Sequence, residues 1–154
     1  MILKMEELAD IFKGKITNWG ELGGKDGEIV LIGREAGSGT RDGFETATNT
    51  AGKIKYRQEL TSSGDVITTV SQNVLAIGYT SLASVKDRVN TLMINGVLPS
   101  EETIKNGNYS VQRPFIIVTN KNYPLDNNAK NFFEFITSKK ANDIIRFAGV
   151  FPAN

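Results

Sequence analysis

The sequence predicts an α/β fold, and two observations carry it. Short apolar runs of strand type alternate with amphipathic stretches of helical period along most of the chain. Glycine, serine and asparagine clusters punctuate the joins, where turns and helix starts belong. Of the 154 residues, 40% are hydrophobic and 23% charged, enough apolar material for a core and enough charge for a water-facing surface.

In chain order, "MEELADIFKG" places Met5, Leu8, Ile11 and Phe12 three and four residues apart, an amphipathic helix stopped by Gly14. "ITNWGELGGKDGE" is turn-rich. "EIVLIGR" is a buried strand, and "GTRDGFETATN" a helix begun at a Ser/Gly/Thr cluster. "KIKYRQEL" has strand character, with Lys53, Lys55 and Arg57 alternating onto one solvated face. "SSGDVITTVSQN" is a capped helix with Val66, Ile67 and Val70 on one side. Strands are expected in "VLAIGYTSL" and "VNTLMING", and a short helix or turn in "SEETIKNG". "YSVQRPFIIVTN" reads as a long strand, with Arg113-Pro114 marking an edge or a crossing between lobes. "NNAKNFFEFITS" aligns Ala129, Phe132, Phe133 and Ile136 on one helical stripe, and "ANDIIRFAGVFP" adds a last helical stretch. A weak compositional boundary near residues 106 to 108 divides the chain into 1–108 and 109–154.

Composition excludes several classes of chemistry. The chain has no cysteine and no histidine, so disulfides, thiol nucleophiles, Cys-based zinc sites and most hydrolase triads are ruled out. A net charge of +1 gives no support to a nucleic-acid or membrane-surface role. No apolar run approaches the roughly 18 residues of a membrane span, and "MILKMEELAD" has no signal-peptide h-region. Asp, Glu, Lys and Tyr could still do chemistry, so an enzyme is disfavoured rather than eliminated, and the expectation is a non-enzyme without a cofactor.

The stretch that points to function is "GREAGSGTRDGFE". It joins a strand to a helix through a Gly-rich turn, an arrangement that presents unpaired N–H groups and the positive end of a helix dipole. Gly37 and Gly39 let backbone approach a ligand, Ser38 and Thr40 add hydroxyls, and Arg34 can offer a forked pair of bonds to an oxyanion. The same residues also suit a plain turn, with Ser38 as helix cap and Arg34 in a surface ion pair. Two nucleotide motifs fail. A Walker A loop needs Gly-Lys-Ser/Thr, whereas Gly39 is followed directly by Thr40. A dinucleotide turn needs a third glycine where Asp42 stands.

"LADIFKGKITNWGELGG" followed by "GREAGSGTRDGFE" resembles the phosphate-binding proteins of bacterial ABC transporters, the PstS-like family. "LAIGYTSL", "INGVLPSEETIKNGNYSVQRPFIIVTN" and "AKNFFEFITSKKANDIIRFAGVFP" follow in the family's order. The resemblance implies a type II periplasmic-binding-protein fold with a mixed sheet flanked by helices. Residues 1–108 would form the second lobe, and 109–154 would return to the first. It implies inorganic phosphate or a similar oxyanion as ligand, held by Arg34, Ser38, Gly39 and Thr40, with Gly37 shaping the turn. Arg41 and Asp42 follow the motif without being assigned as ligands. ABC permease subunits are the implied partners, at the extracellular face of the membrane or in the periplasm. The alternative is a protein-interaction or sensor-docking module with an incomplete anion site.

The family's N-terminal elements, which carry a second anion loop and a proton-accepting acid, have no counterpart here. Ala141 and Asn142 stand where relatives often have Gly-Gln. Phe115, Ile117, Phe132, Phe133, Ile144 and Phe147 are therefore expected to lack part of their usual cover. The result would be a repacked C-terminal segment or a homo-oligomer. Trp19 is read as packing, and "SSGD" at 62–65 as a helix cap or a second hydroxyl patch.

Overall fold

The structure, a computed structural model, describes residues 1–85 and 87–152. The chain divides into two units, Met1–Arg113 and Pro114–Asn154.

The first unit opens with strand β1 (Ile2–Leu3) and helix α1 (Met5–Phe12). The predicted stripe buries Leu8, Ile11 and Phe12, and Gly14 follows in the left-handed region at φ 71°. Glu7 accepts a hydrogen bond from the Lys4 N–H, so one orphan donor of the helix start is met by an acid that the dipole also favours. Strand β2 (Val30–Arg34) is the centre of a parallel three-stranded sheet, with β3 (Gln58–Leu60) on one side and β4 (Ala76–Gly78) on the other. Helices α2 (Gly39–Ala47) and α3 (Ser63–Ser71) make the crossovers that a parallel sheet requires. The chain leaves β2 toward β3 and returns across β2 to β4. The carboxyl end of β2 is thus a topological switch point, where open α/β sheets bind ligands.

Strand β5 (Met93–Ile94) pairs with β1 in a separate parallel ladder, and a short helix α4 (Glu101–Lys105) follows. The core gathers Leu3, Leu8, Ile11, Phe12, Trp19, Ile29, Leu31, Phe44, Ile77, Tyr79 and Ile94. The Phe44 and Tyr79 rings stack at 4.1 Å, and Phe12 meets Phe44 edge-on at 4.6 Å. Trp19 is buried, and its indole N–H donates to the Leu75 carbonyl at 2.9 Å, a packing role with its polar end satisfied.

The strand readings shrink. "KIKYRQEL" is ladder only at Gln58–Leu60, and "VNTLMING" only at Met93–Ile94. "YSVQRPFIIVTN" forms no strand. Its residues favour extended backbone, but a ladder needs a neighbouring chain, and none pairs with it among the described residues.

The second unit carries helices α5 (Asn127–Ile136) and α6 (Asn142–Phe147). Asp126 caps α5, accepting from the Ala129 N–H at 2.8 Å. The α5 stripe is not buried: Ala129 and Ile136 are half-covered, and Phe132 and Phe133 are exposed. Phe115, Ile117, Ile144 and Phe147 are exposed too, as expected.

Candidate functional site

The loop from Arg34 to Thr40 leaves the carboxyl end of β2 and enters α2. Gly37 sits at φ 86°, a left-handed conformation in which side chains are strained. Ser38 is the N-cap of α2, buried, with its hydroxyl accepting from the Arg41 N–H at 3.4 Å. Gly39 and Thr40 are the first two residues of the helix. Among the described residues, the N–H groups of Gly37, Gly39 and Thr40 donate to no backbone carbonyl or side chain. These are the orphan donors of a helix start, gathered on one Gly-rich turn.

Arg34 is half-buried, and its fork is already engaged. Its Nε donates to Glu35 Oε2 at 3.0 Å and to the Leu60 carbonyl at 3.2 Å. Its Nη2 donates to Glu35 Oε1 at 2.9 Å and to the Thr61 carbonyl at 3.1 Å. Its Nη1 donates to Ser63 Oγ at 3.3 Å. One Nη1 hydrogen is left without a protein acceptor among the described residues. The forked donation expected for an oxyanion is thus taken by the adjacent carboxylate. The hydrogen bond from Arg34 holds the Glu35 carboxyl below the usual carboxylate range, and the same bond raises Arg34 further.

Arg41 turns away from any ligand role and braces the wall behind the loop. Its Nε donates to buried Glu45 at 2.7 Å, its Nη1 to Glu59 at 2.9 Å, and its guanidinium lies 5.0 Å from the centre of the Tyr56 ring. The same Nη1 donates to the Arg34 carbonyl at 3.0 Å. On the other side of that residue, the Arg34 N–H donates to the Tyr79 hydroxyl at 3.1 Å. Tyr79 donates to Tyr56 at 3.0 Å, and Tyr56 to Glu45 Oε1 at 3.1 Å, the atom Arg41 also reaches. The hydrogen bonds form a closed ring that begins and ends on the backbone of Arg34. Burial raises both tyrosines above their ordinary value, so they stay neutral donors.

The "SSGD" stretch serves two purposes. Ser62 caps α3, accepting from the Asp65 N–H at 3.0 Å, while Ser63 meets Arg34. Lys53, Lys55 and Arg57 are exposed, as a solvated face requires. Sequence reasoning missed Tyr56, Tyr79 and Glu45. Tyr56 and Tyr79 lie far from the loop in sequence, and Glu45, four residues after Arg41, carries no local mark of the ring it joins.

Comparison with known proteins gives the family and the fold. The PBP superfamily domain matches residues 3–140. The phosphate-binding protein PstS of Borreliella burgdorferi is 33% identical over 94% of this chain and 56% of its own length. A PstS 2 protein of Streptococcus pneumoniae is 37% identical over 77% of this chain and 43% of its own. A crystal structure from Clostridium perfringens, assigned as a phosphate ABC transporter substrate-binding protein with bound phosphate, superposes with a TM-score of 0.87 at 36% identity. It covers 99% of this chain and 63% of that one. An ABC-type phosphate transport receptor of Vibrio cholerae gives 0.85 at 31% identity, over 97% and 63%. The chain spans about half to two-thirds of the length of these relatives. It belongs to the PBP superfamily, with a PstS-like, type II periplasmic-binding-protein fold.

Proposed function

We propose that this chain carries one jaw of an oxyanion clamp for a phosphate ABC uptake system. In this reading it binds inorganic phosphate outside the cytoplasmic membrane and works with ABC permease subunits. The observation that supports it is the set of unspent N–H groups on Gly37, Gly39 and Thr40 beside Arg34, at the switch point of the sheet. The Gly37, Gly39 and Thr40 amides form the nest, Ser38 and Thr40 supply hydroxyls, and Arg34 supplies charge and its remaining Nη1 donor. The role is binding rather than catalysis, in keeping with relatives named as a phosphate-binding protein and a phosphate transport receptor.

Donors alone do not tell phosphate from sulfate; discrimination needs an acceptor for the phosphate proton. With Glu35 spent on Arg34, this chain by itself is expected to bind the two anions with similar affinity. The test is an NMR titration of the labelled chain with inorganic phosphate and with sulfate. The Gly37, Gly39 and Thr40 amides should shift with both anions, and Arg34→Ala should weaken binding about tenfold or more. A folded chain whose loop amides do not respond to millimolar phosphate overturns the binding reading.

A second reading, an interaction module, is favoured by one observation: the exposed apolar side chains of Pro114–Asn154. Under it, a second copy of this chain covers that surface. Sedimentation should then show a concentration-dependent dimer, unaffected by Arg34→Ala; a monomer at high concentration counts against it.

A further inference from the structure

Residues 39 and 43 lie one turn apart on the same face of α2, and both are glycine. A Cβ on Gly43 would overlap Cδ of Arg113 and stand 3.1 Å from both its Cγ and its Nε. A Cβ on Gly39 would stand 3.5 Å from Nη1 and 3.7 Å from Nη2 of the same arginine. The Arg113 side chain therefore lies lengthwise along α2, with its stem over Gly43 and its guanidinium over Gly39. Its direction is toward the helix N-terminus, where the unspent N–H groups of the loop are.

That placement runs against the helix dipole, whose positive end disfavours a cation. An oxyanion on the Gly39 and Thr40 amides reverses the sign, because the cation then faces a negative charge a few ångströms away.

We propose that Arg113 is an affinity residue of the anion loop, closing over the bound oxyanion, and that Gly43 provides the space its stem requires. The proposal rests on the oxyanion reading of the loop. Gly43→Ala separates function from folding. Alanine is a better helix residue than glycine, so the melting temperature should hold or rise. The displaced stem should nonetheless weaken binding.

The experiment is the same titration with inorganic phosphate, read at the Gly39 and Thr40 amides. Arg113→Ala should weaken binding about three- to fivefold and flatten its salt dependence, as loss of a partly exposed charge contact does. Arg113→Lys should restore part of the loss. Gly43→Ala should match Arg113→Ala, and adding it to Arg113→Ala should change nothing further. Binding that Arg34→Ala weakens but Arg113→Ala leaves intact overturns this proposal alone. So does a Gly43→Ala effect that persists without Arg113. If the wild-type amides never respond, the oxyanion reading falls and this proposal with it.

Discussion

Phe12 and Phe147 are the same side chain in opposite circumstances: 1% exposed in the first unit, 96% in the second. Each lies on a helix whose apolar residues recur at helical spacing. In α1 that stripe belongs to one cluster with the sheet residues Leu31 and Ile77. In α5 the stripe forms and the cap forms, yet Phe132, Phe133 and Phe135 remain in solvent, as Phe147 does in α6. Helical period and capping are thus enough to specify a helix, while burial needs a second layer. The first unit carries its second layer in its own sequence, and the described residues of the second do not.

The largest effect that can sharpen this contrast is truncation of the two phenylalanines. Phe12→Ala should cost about 3–5 kcal/mol by denaturant unfolding, from lost burial and the cavity left among Phe44, Tyr56 and Tyr79. Phe147→Ala should stay within about 0.5 kcal/mol. Equal losses would break the comparison. Next comes Tyr79→Phe, which keeps the ring and removes the hydroxyl that the Arg34 N–H needs. An orphaned buried donor costs about 1–3 kcal/mol, measured in the same way.

A pair of cap deletions follows. Ser38→Ala and Asp126→Ala each remove an N-cap bond worth about 1 kcal/mol. The first should lower the unfolding midpoint of the core. The second should raise amide exchange only within α5. A shift of the core midpoint on cutting Asp126 would show that the second unit unfolds together with the first. The smallest effect is electrostatic. Because Arg34 depresses the Glu35 carboxyl, their pairing stabilises the fold above the ordinary carboxylate range. That contribution is lost as pH falls through the depressed value. The stability difference between wild type and Glu35→Gln should be constant at neutral pH and vanish in acid, and a difference that grows in acid would refute the pairing.

The sequence revealed those parts of the fold whose causes are local. Helices α1, α2 and α3 follow from apolar spacing and from Ser38 and Ser62 as caps, and the loop between β2 and α2 follows from its glycines. What escaped depends on partners distant in sequence. Phe115 to Val118 favour extended backbone, yet become a strand only if another strand lies alongside. Arg34 and Glu35 are adjacent in the sequence, but nothing there shows that the carboxylate takes the Nε and Nη2 side of the guanidinium. Tyr56, Tyr79 and Glu45 meet only because β2, the segment before β3, and β4 come together around α2. Among the candidate site residues, their types and loop were readable, and the wall that holds them was not.

Under the proposed oxyanion role, the ring on the Arg34 backbone bears on the speed of capture. Both backbone polar groups of that residue are fixed from behind before any ligand arrives, so the start of the loop needs no ordering when an anion meets it. Association should then run at the rate of encounter, and differences between anions should appear in how long each one stays.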